Sequence, residues 1–124
     1  MRHRLKGKKL GRHTEHRLLM LRGMVTDLME YGKVETTVAR AKELRRLADK
    51  LITKAKQENK VKAMRDVLSI VTRKSVAYKV VNEIAPRYSD RNSGYTRLLH
   101  YRHRKGDSAP TAIVMLVEQE ESSS

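Results

Sequence analysis

The run Thr111–Val117, TAIVMLV, constrains this chain more than any other stretch. In a strand, successive side chains face opposite sides of a sheet. Ala112, Val114 and Leu116 then share one face and Ile113, Met115 and Val117 the other. Both sets are apolar. A strand apolar on both faces belongs inside a sheet, because an edge would expose it to water and to other chains. The run is therefore predicted as the central strand, over Thr111–Glu118, and needs a partner on each side. Tyr95–His103 supplies one through a hairpin whose connection is Arg104–Pro110. The other is Lys33–Thr37, KVETT, which is short, alternating and rich in β-branched residues.

The rest of the chain reads as helix. Thr14 is a candidate N-cap, with Glu15 placing negative charge in the first turn. Leu18, Leu21, Val25 and Leu28 recur at helical spacing, and Tyr31-Gly32 supplies a stop. Thr36 or Thr37 can cap a long helix with an apolar stripe of Val38, Ala41, Leu44, Leu47, Ala48, Leu51 and Ala55. Asn59 interrupts the pattern. Val61, Met64, Val67, Leu68 and Val71 mark a third helix; Val76, Val80, Val81 and Ile84 mark a fourth, which Pro86 should end. The expected fold class is a two-layer α+β arrangement in the order α-β-α-α-α-β-β. A small three-stranded sheet has its C-terminal strand in the centre and helices packed against it. Residues 14–118 would form one domain, residues 1–13 a basic arm and residues 119–124 an acidic, polar tail.

Charge narrows the function. The chain of 124 residues carries a formal net charge of +14, which repels itself and attracts polyanions. The arm, MRHRLKGKKLGRH, contains no acid, and each of its lysines and arginines can neutralise a phosphate and release a counterion. The hairpin places Arg97 and Arg102 on a strand tied to the core, and Arg104 and Lys105 at the start of its connection. A charged strand on a rigid body gives orientation that a flexible tail does not.

Other chemistries find little support. The chain has no cysteine, which removes disulfides, thiolate metal sites and cysteine nucleophiles together. His13/His16 and His100/His103 are pairs three apart, but no acid completes a site, so no metal or other cofactor is expected. The carboxylates are scattered between basic residues and form no acidic cluster of the kind a metal-dependent nuclease uses. No run is long and apolar enough to span a bilayer, and no membrane or small-molecule substrate is expected. Tyr88, Tyr95 and Tyr101 lie among basic residues. They can stack on bases or pack at the sheet edge with the hydroxyl hydrogen-bonded. Arg45 and Arg46, on the exposed face of the long helix, suit an RNA contact or a solvated face equally.

Several segments resemble a known family. Met1-Arg2-His3-Arg4, Leu10-Gly11-Arg12 and His16-Arg17 are similar to the start of bacterial large-subunit ribosomal protein seventeen. So are Ala41-Lys42-Glu43-Leu44-Arg45-Arg46 with Leu51-Ile52-Thr53, and Gly94-Tyr95-Thr96-Arg97 followed by Gly106-Asp107-x-Ala109-Pro110. The resemblance runs in order from residue 1 to about 118. It implies a structural, non-enzymatic protein of the cytoplasmic ribosome that binds 23S rRNA beside other large-subunit proteins, near the polypeptide exit tunnel. Two positions depart from the family pattern. Ser93 stands where a second glycine is common, and Met115 where the final strand commonly has an acid.

Charge and resemblance together nominate as RNA contacts Arg2, His3, Arg4, Lys6, Lys8, Lys9 and Arg12 on the arm. They add His16, Arg17 and Arg22 on the first helix and Arg45 and Arg46 on the long helix. Towards the C-terminus they add Arg87, Arg91, Tyr95, Arg97, Arg102, Arg104 and Lys105. Two competing readings are a DNA-binding architectural protein and an RNA-processing enzyme. The sequence shows neither a paired-helix recognition motif nor a wedge residue at a hairpin tip to favour the first.

Overall fold

A computed structural model of the chain describes residues 12–117. Helix α1 spans Arg12–Tyr31, strand β1 Lys33–Thr37, α2 Val38–Ala55 and α3 Lys60–Leu68. Helix α4, Lys74–Lys79, runs on through a π-helical segment, Val80–Ile84, into the short α5, Ala85–Arg87. Strands β2, Thr96–His103, and β3, Pro110–Leu116, follow. The order is the one read from the sequence.

The sheet has three strands in the order β1-β3-β2, both pairings antiparallel. Val114 stands opposite Val34 on one side and Leu98 on the other. Central placement of the apolar run is thus correct. Its two faces are not equivalent, however. Ala112, Val114 and Leu116 are buried beneath the helices, while Ile113, Met115 and Val117 are only half-buried on the open side. A strand becomes interior by pairing along both edges; covering both faces is a separate condition, which this two-layer fold does not meet.

Helix α2 contacts all three strands and buries Ala41, Leu44, Ala48, Leu51, Ile52 and Ala55. Burying each of the larger aliphatic side chains contributes about 1.5–3 kcal/mol. Helix α1 adds Leu21, Val25, Leu28 and Met29 to the same core. Leu18, expected to continue that stripe, is 54% exposed. The helix also begins at Arg12, so Thr14 lies inside its first turn and does not precede it. Helix α3 is nine residues long and is capped by Asn59, whose side chain accepts from the N–H groups of Val61 and Lys62. It buries Ala63 and Val67; Val61 and Leu68 face outward, and Val71 is buried beyond its end.

Pro86 does not end the fourth helix. The π-helical segment before it carries the Ala85 N–H to the carbonyl of Val80, five residues back. Proline has no N–H to donate and clashes with the carbonyl a turn earlier; a widened turn relieves both. The helix closes at Tyr88, whose N–H bonds to Ala85 O at 3.1 Å.

Among the described residues two glycines have left-handed backbone, Gly32 at φ 90° and Gly94 at φ 71°. Ser93, before Gly94, is not among the positive-φ residues, so the turn needs only the one glycine that it has. Gly32 ends α1 with its N–H on Leu28 O at 2.8 Å, and its carbonyl accepts from Leu116 N–H at 3.1 Å. A methyl group at Gly32 would meet no atom within 4 Å, so the cost of adding one is conformational. Gly32→Ala is expected to lower stability by about 1 kcal/mol, read as a reduced urea midpoint with unchanged slope.

Candidate nucleic-acid interface

The hairpin carries its charge on a strand with one buried side. Thr96 and Leu98 turn toward the helices, and Arg97 and Leu99 turn outward opposite Met115 and Ile113. Between His100 and His103 the register slips, and the strand continues as Tyr101 and Arg102. Irregularities of this kind re-aim side chains. His100, Tyr101, Arg102, His103, Arg104 and Lys105 are all exposed. Lys33 stands in the same outward row as Met115 and Arg97, which extends the basic strip across the sheet.

Two of these arginines are held in place. Arg102 donates through Nε and Nη2 to Glu35 Oε2 and Oε1, at 3.0 and 3.2 Å, and its guanidinium lies 4.8 Å from the Tyr101 ring centre. Arg104 donates through Nε and Nη2 to Asp107 Oδ1 and Oδ2, at 3.1 and 2.8 Å. Arg97 and Lys105 have no carboxylate partner among the described residues. The connection is closed by Arg104 N–H on Ala109 O and Ser108 N–H on Arg104 O, each at 2.7 Å. Ser108 there adopts a left-handed φ of 60°.

The hydrogen bonds from Arg104 hold the Asp107 carboxyl at about 2, below its ordinary value of 3.8, with further help from the Ala109 N–H. A depressed carboxylate stabilises the folded arrangement above its unfolded pKa and loses that contribution as pH falls through the folded one. The Arg104–Asp107 pair is therefore complete near neutrality. An NMR titration should place the Asp107 midpoint near 2 and show the Ala109 amide shifting with it.

Other nominated residues fall into place differently. Tyr95 is a correction: it is fully buried and cannot stack on a base. Its ring lies 5.5 Å from that of Tyr88, and its hydroxyl meets Thr53 Oγ1, Lys56 Nζ and the Asn92 carbonyl at 3.3, 3.1 and 3.0 Å. It ties the turn before β2 to α2. Arg22 is half-buried and donates from Nε to Ile70 O at 2.9 Å, so it fastens α1 to the segment after α3. Arg17 pairs with Glu43 of α2, and Arg91 donates to Gly94 O at 3.2 Å within its own turn. His16, Arg45, Arg46 and Arg87 are exposed. Arg2, His3, Arg4, Lys6, Lys8 and Lys9 lie outside the described residues, and Arg12 enters as the first residue of α1. Among the described residues, no group of three or more histidine or acidic side chains is set to hold a metal ion, and no helix is long and apolar enough to cross a membrane.

Sequence reasoning missed Glu35 and Asp107 as parts of this surface. The Arg104-x-x-Asp107 spacing was a readable local signal. The Glu35–Arg102 pair joins residues 67 apart and had none.

The sequence profile of ribosomal protein L17 matches residues 20–117. The chain belongs to the ribosomal protein L17 family. Its relatives include the large ribosomal subunit protein bL17 of Clostridium acetobutylicum, 51% identical over 110 residues, covering 89% of this chain and 96% of that one. That of Syntrophus aciditrophicus is 50% identical, covering 94% and 93%. That of Syntrophotalea carbinolica is 46% identical, covering 97% and 77%. As an L17 family member the chain is a structural component of the large ribosomal subunit, not an enzyme, and its place is the cytoplasmic ribosome. The RNA-processing reading is thereby set aside.

Within the L17 fold, Tyr95 separates a structural from a contact role. Tyr95→Phe should cost about 1–3 kcal/mol of stability by removing a shared buried hydroxyl. RNA affinity, measured below the melting transition, should be unchanged.

Proposed function

We propose that this chain binds 23S rRNA within the large subunit, fixing RNA segments by neutralising phosphates and recognising shape. The observation that carries the reading is an exposed cationic hairpin, Arg97 to Lys105, continuous with a buried central strand. Such a strip is rigid, and its charges keep fixed spacing against a fixed pattern of phosphates. A-form helices hide their base edges in a deep, narrow groove, so backbone and shape carry recognition. Residues 1–13, basic and without an acid, act as a second contact. His16, Arg45, Arg46 and Arg87 are further contacts from the helical side, all of them exposed. Neighbouring large-subunit proteins are the second class of partner. The half-buried row of Ile113 and Met115, with Leu99 44% exposed beside it, offers them an apolar contact. A position near the exit tunnel is what the family resemblance implies.

The test is sedimentation of tagged protein from lysate at low and high monovalent salt. The native chain should co-migrate with the large subunit and stay there in high salt. Arg97→Glu with Lys105→Glu should leave the subunit as salt rises, while circular dichroism remains native. Each lost phosphate contact should reduce the salt slope of binding to isolated rRNA by about 1. Equal affinity for duplex DNA and folded rRNA at one salt concentration would favour the architectural DNA-binding reading instead.

A further inference from the structure

The basic hairpin surface contains two acids. Glu35 and Asp107 face the arginines of the hairpin, where a carboxylate weakens the attraction for phosphate. Stability is a poor reason for their presence, since exposed ion pairs contribute little. Their geometry suggests a different one. Glu35 takes Arg102 by two hydrogen bonds, and Asp107 takes Arg104 by two. Both carboxylates are themselves anchored. Thr111, buried in the central strand, has its hydroxyl 3.1 Å from Glu35 Oε2 and 2.9 Å from the Arg102 carbonyl oxygen. Asp107 Oδ1 also accepts the Ala109 N–H at 3.2 Å.

A cavity of about 480 Å³ takes both arginines into its lining, with Glu35, Thr36, His103, Lys105 and Thr111. It is open to solvent, and Arg102, Arg104 and Lys105 are its cations. A guanidinium has five N–H donors, and a two-point pair with a carboxylate occupies two of them. Three remain on each arginine for another acceptor. An arginine already held loses less rotamer freedom when that acceptor arrives.

We propose that this cavity seats the phosphodiester backbone of folded RNA, with Glu35 and Asp107 as positioning residues for Arg102 and Arg104. The proposal rests on the RNA-binding reading above and adds where on the hairpin the backbone sits and which residues prepare it. It also reverses a simple expectation. Neutralising either acid raises the net charge of the protein, yet it weakens binding where geometry matters. Unstructured RNA, which adapts to any cationic surface, gains or stays the same.

The experiment uses the full chain and two probes at one stated salt concentration, a 23S rRNA transcript and poly(U). Glu35→Gln and Asp107→Asn should each bind the transcript about three- to tenfold more weakly. Poly(U) affinity should be unchanged or higher, so the ratio of the two affinities falls. Asp107 lies in the exposed connection, so Asp107→Asn keeps the test open should Glu35→Gln unfold. Equal or tighter transcript binding by these variants would overturn the proposal, provided that Arg102→Ala with Arg104→Ala still weakens it; the acids would then be mere competitors. If the double arginine variant binds the transcript normally, the hairpin is not an RNA contact, and the parent reading of that surface falls together with this one.

Discussion

The packing of α2 under β3 is the contact on which the rest of the structure depends. Ala112, Val114 and Leu116 present a continuous apolar line, and α2 packs against that strand with Leu44, Ala48, Leu51 and Ile52 buried in the same core. The strand can reach that position only with a neighbour on each side, because its own backbone groups would otherwise be left without partners. β1 and β2 are those neighbours. β1 arrives early in the chain and β2 late, so the sheet joins the two ends of the sequence across the helices. The other helices wrap a core that this arrangement has already defined.

Charge is organised around that scaffold by division of labour. Cations of the helical layer serve the fold: Arg22 of α1 reaches Ile70, Lys56 at the end of α2 holds the turn at Arg91 and Tyr95, and Lys79 of α4 donates to the Glu30 carbonyl. Arg73 lies between Asp27 and Glu30 and joins α1 to the start of α4. Cations on the hairpin serve the outside. There the few acids sit against arginines from the same surface, and the lysine at the tip, Lys105, has no such partner among the described residues. A high net charge is thus compatible with a well-defined body because many of its positive groups are committed to specific internal acceptors.

Much of this was legible in the sequence, for physical reasons that differ from element to element. The two-faced apolar run demanded a central strand, and period-two alternation gave its register to the core. The long stripe of α2 was unambiguous because it persists over several turns. Short elements were less readable. The nine residues of α3 offer room for only two fully buried positions, so Val61 and Leu68 could be outside as easily as in. Leu18 looked like core because periodicity says which face a residue is on, not whether the body extends beneath it. Tyr95 looked like a contact because its neighbours are basic; its burial depends on α2, distant in sequence. The family resemblance pointed to the hairpin but could not show which of its arginines were already paired.

The π-helical segment before Pro86 has a consequence for how the chain can vary. A π turn is an α turn with one residue added, so everything after it is rotated about the helix axis by about 100° relative to an uninterrupted helix. In this rotation Tyr88 is buried against Tyr95, and its hydroxyl donates to the carbonyl of Val117 at the end of the central strand. Loss of one residue from Val80–Ile84 would restore the regular helix and turn Tyr88 away from that strand. The segment therefore acts as a counted spacer: substitutions of similar size are tolerable there, whereas a change of length is not.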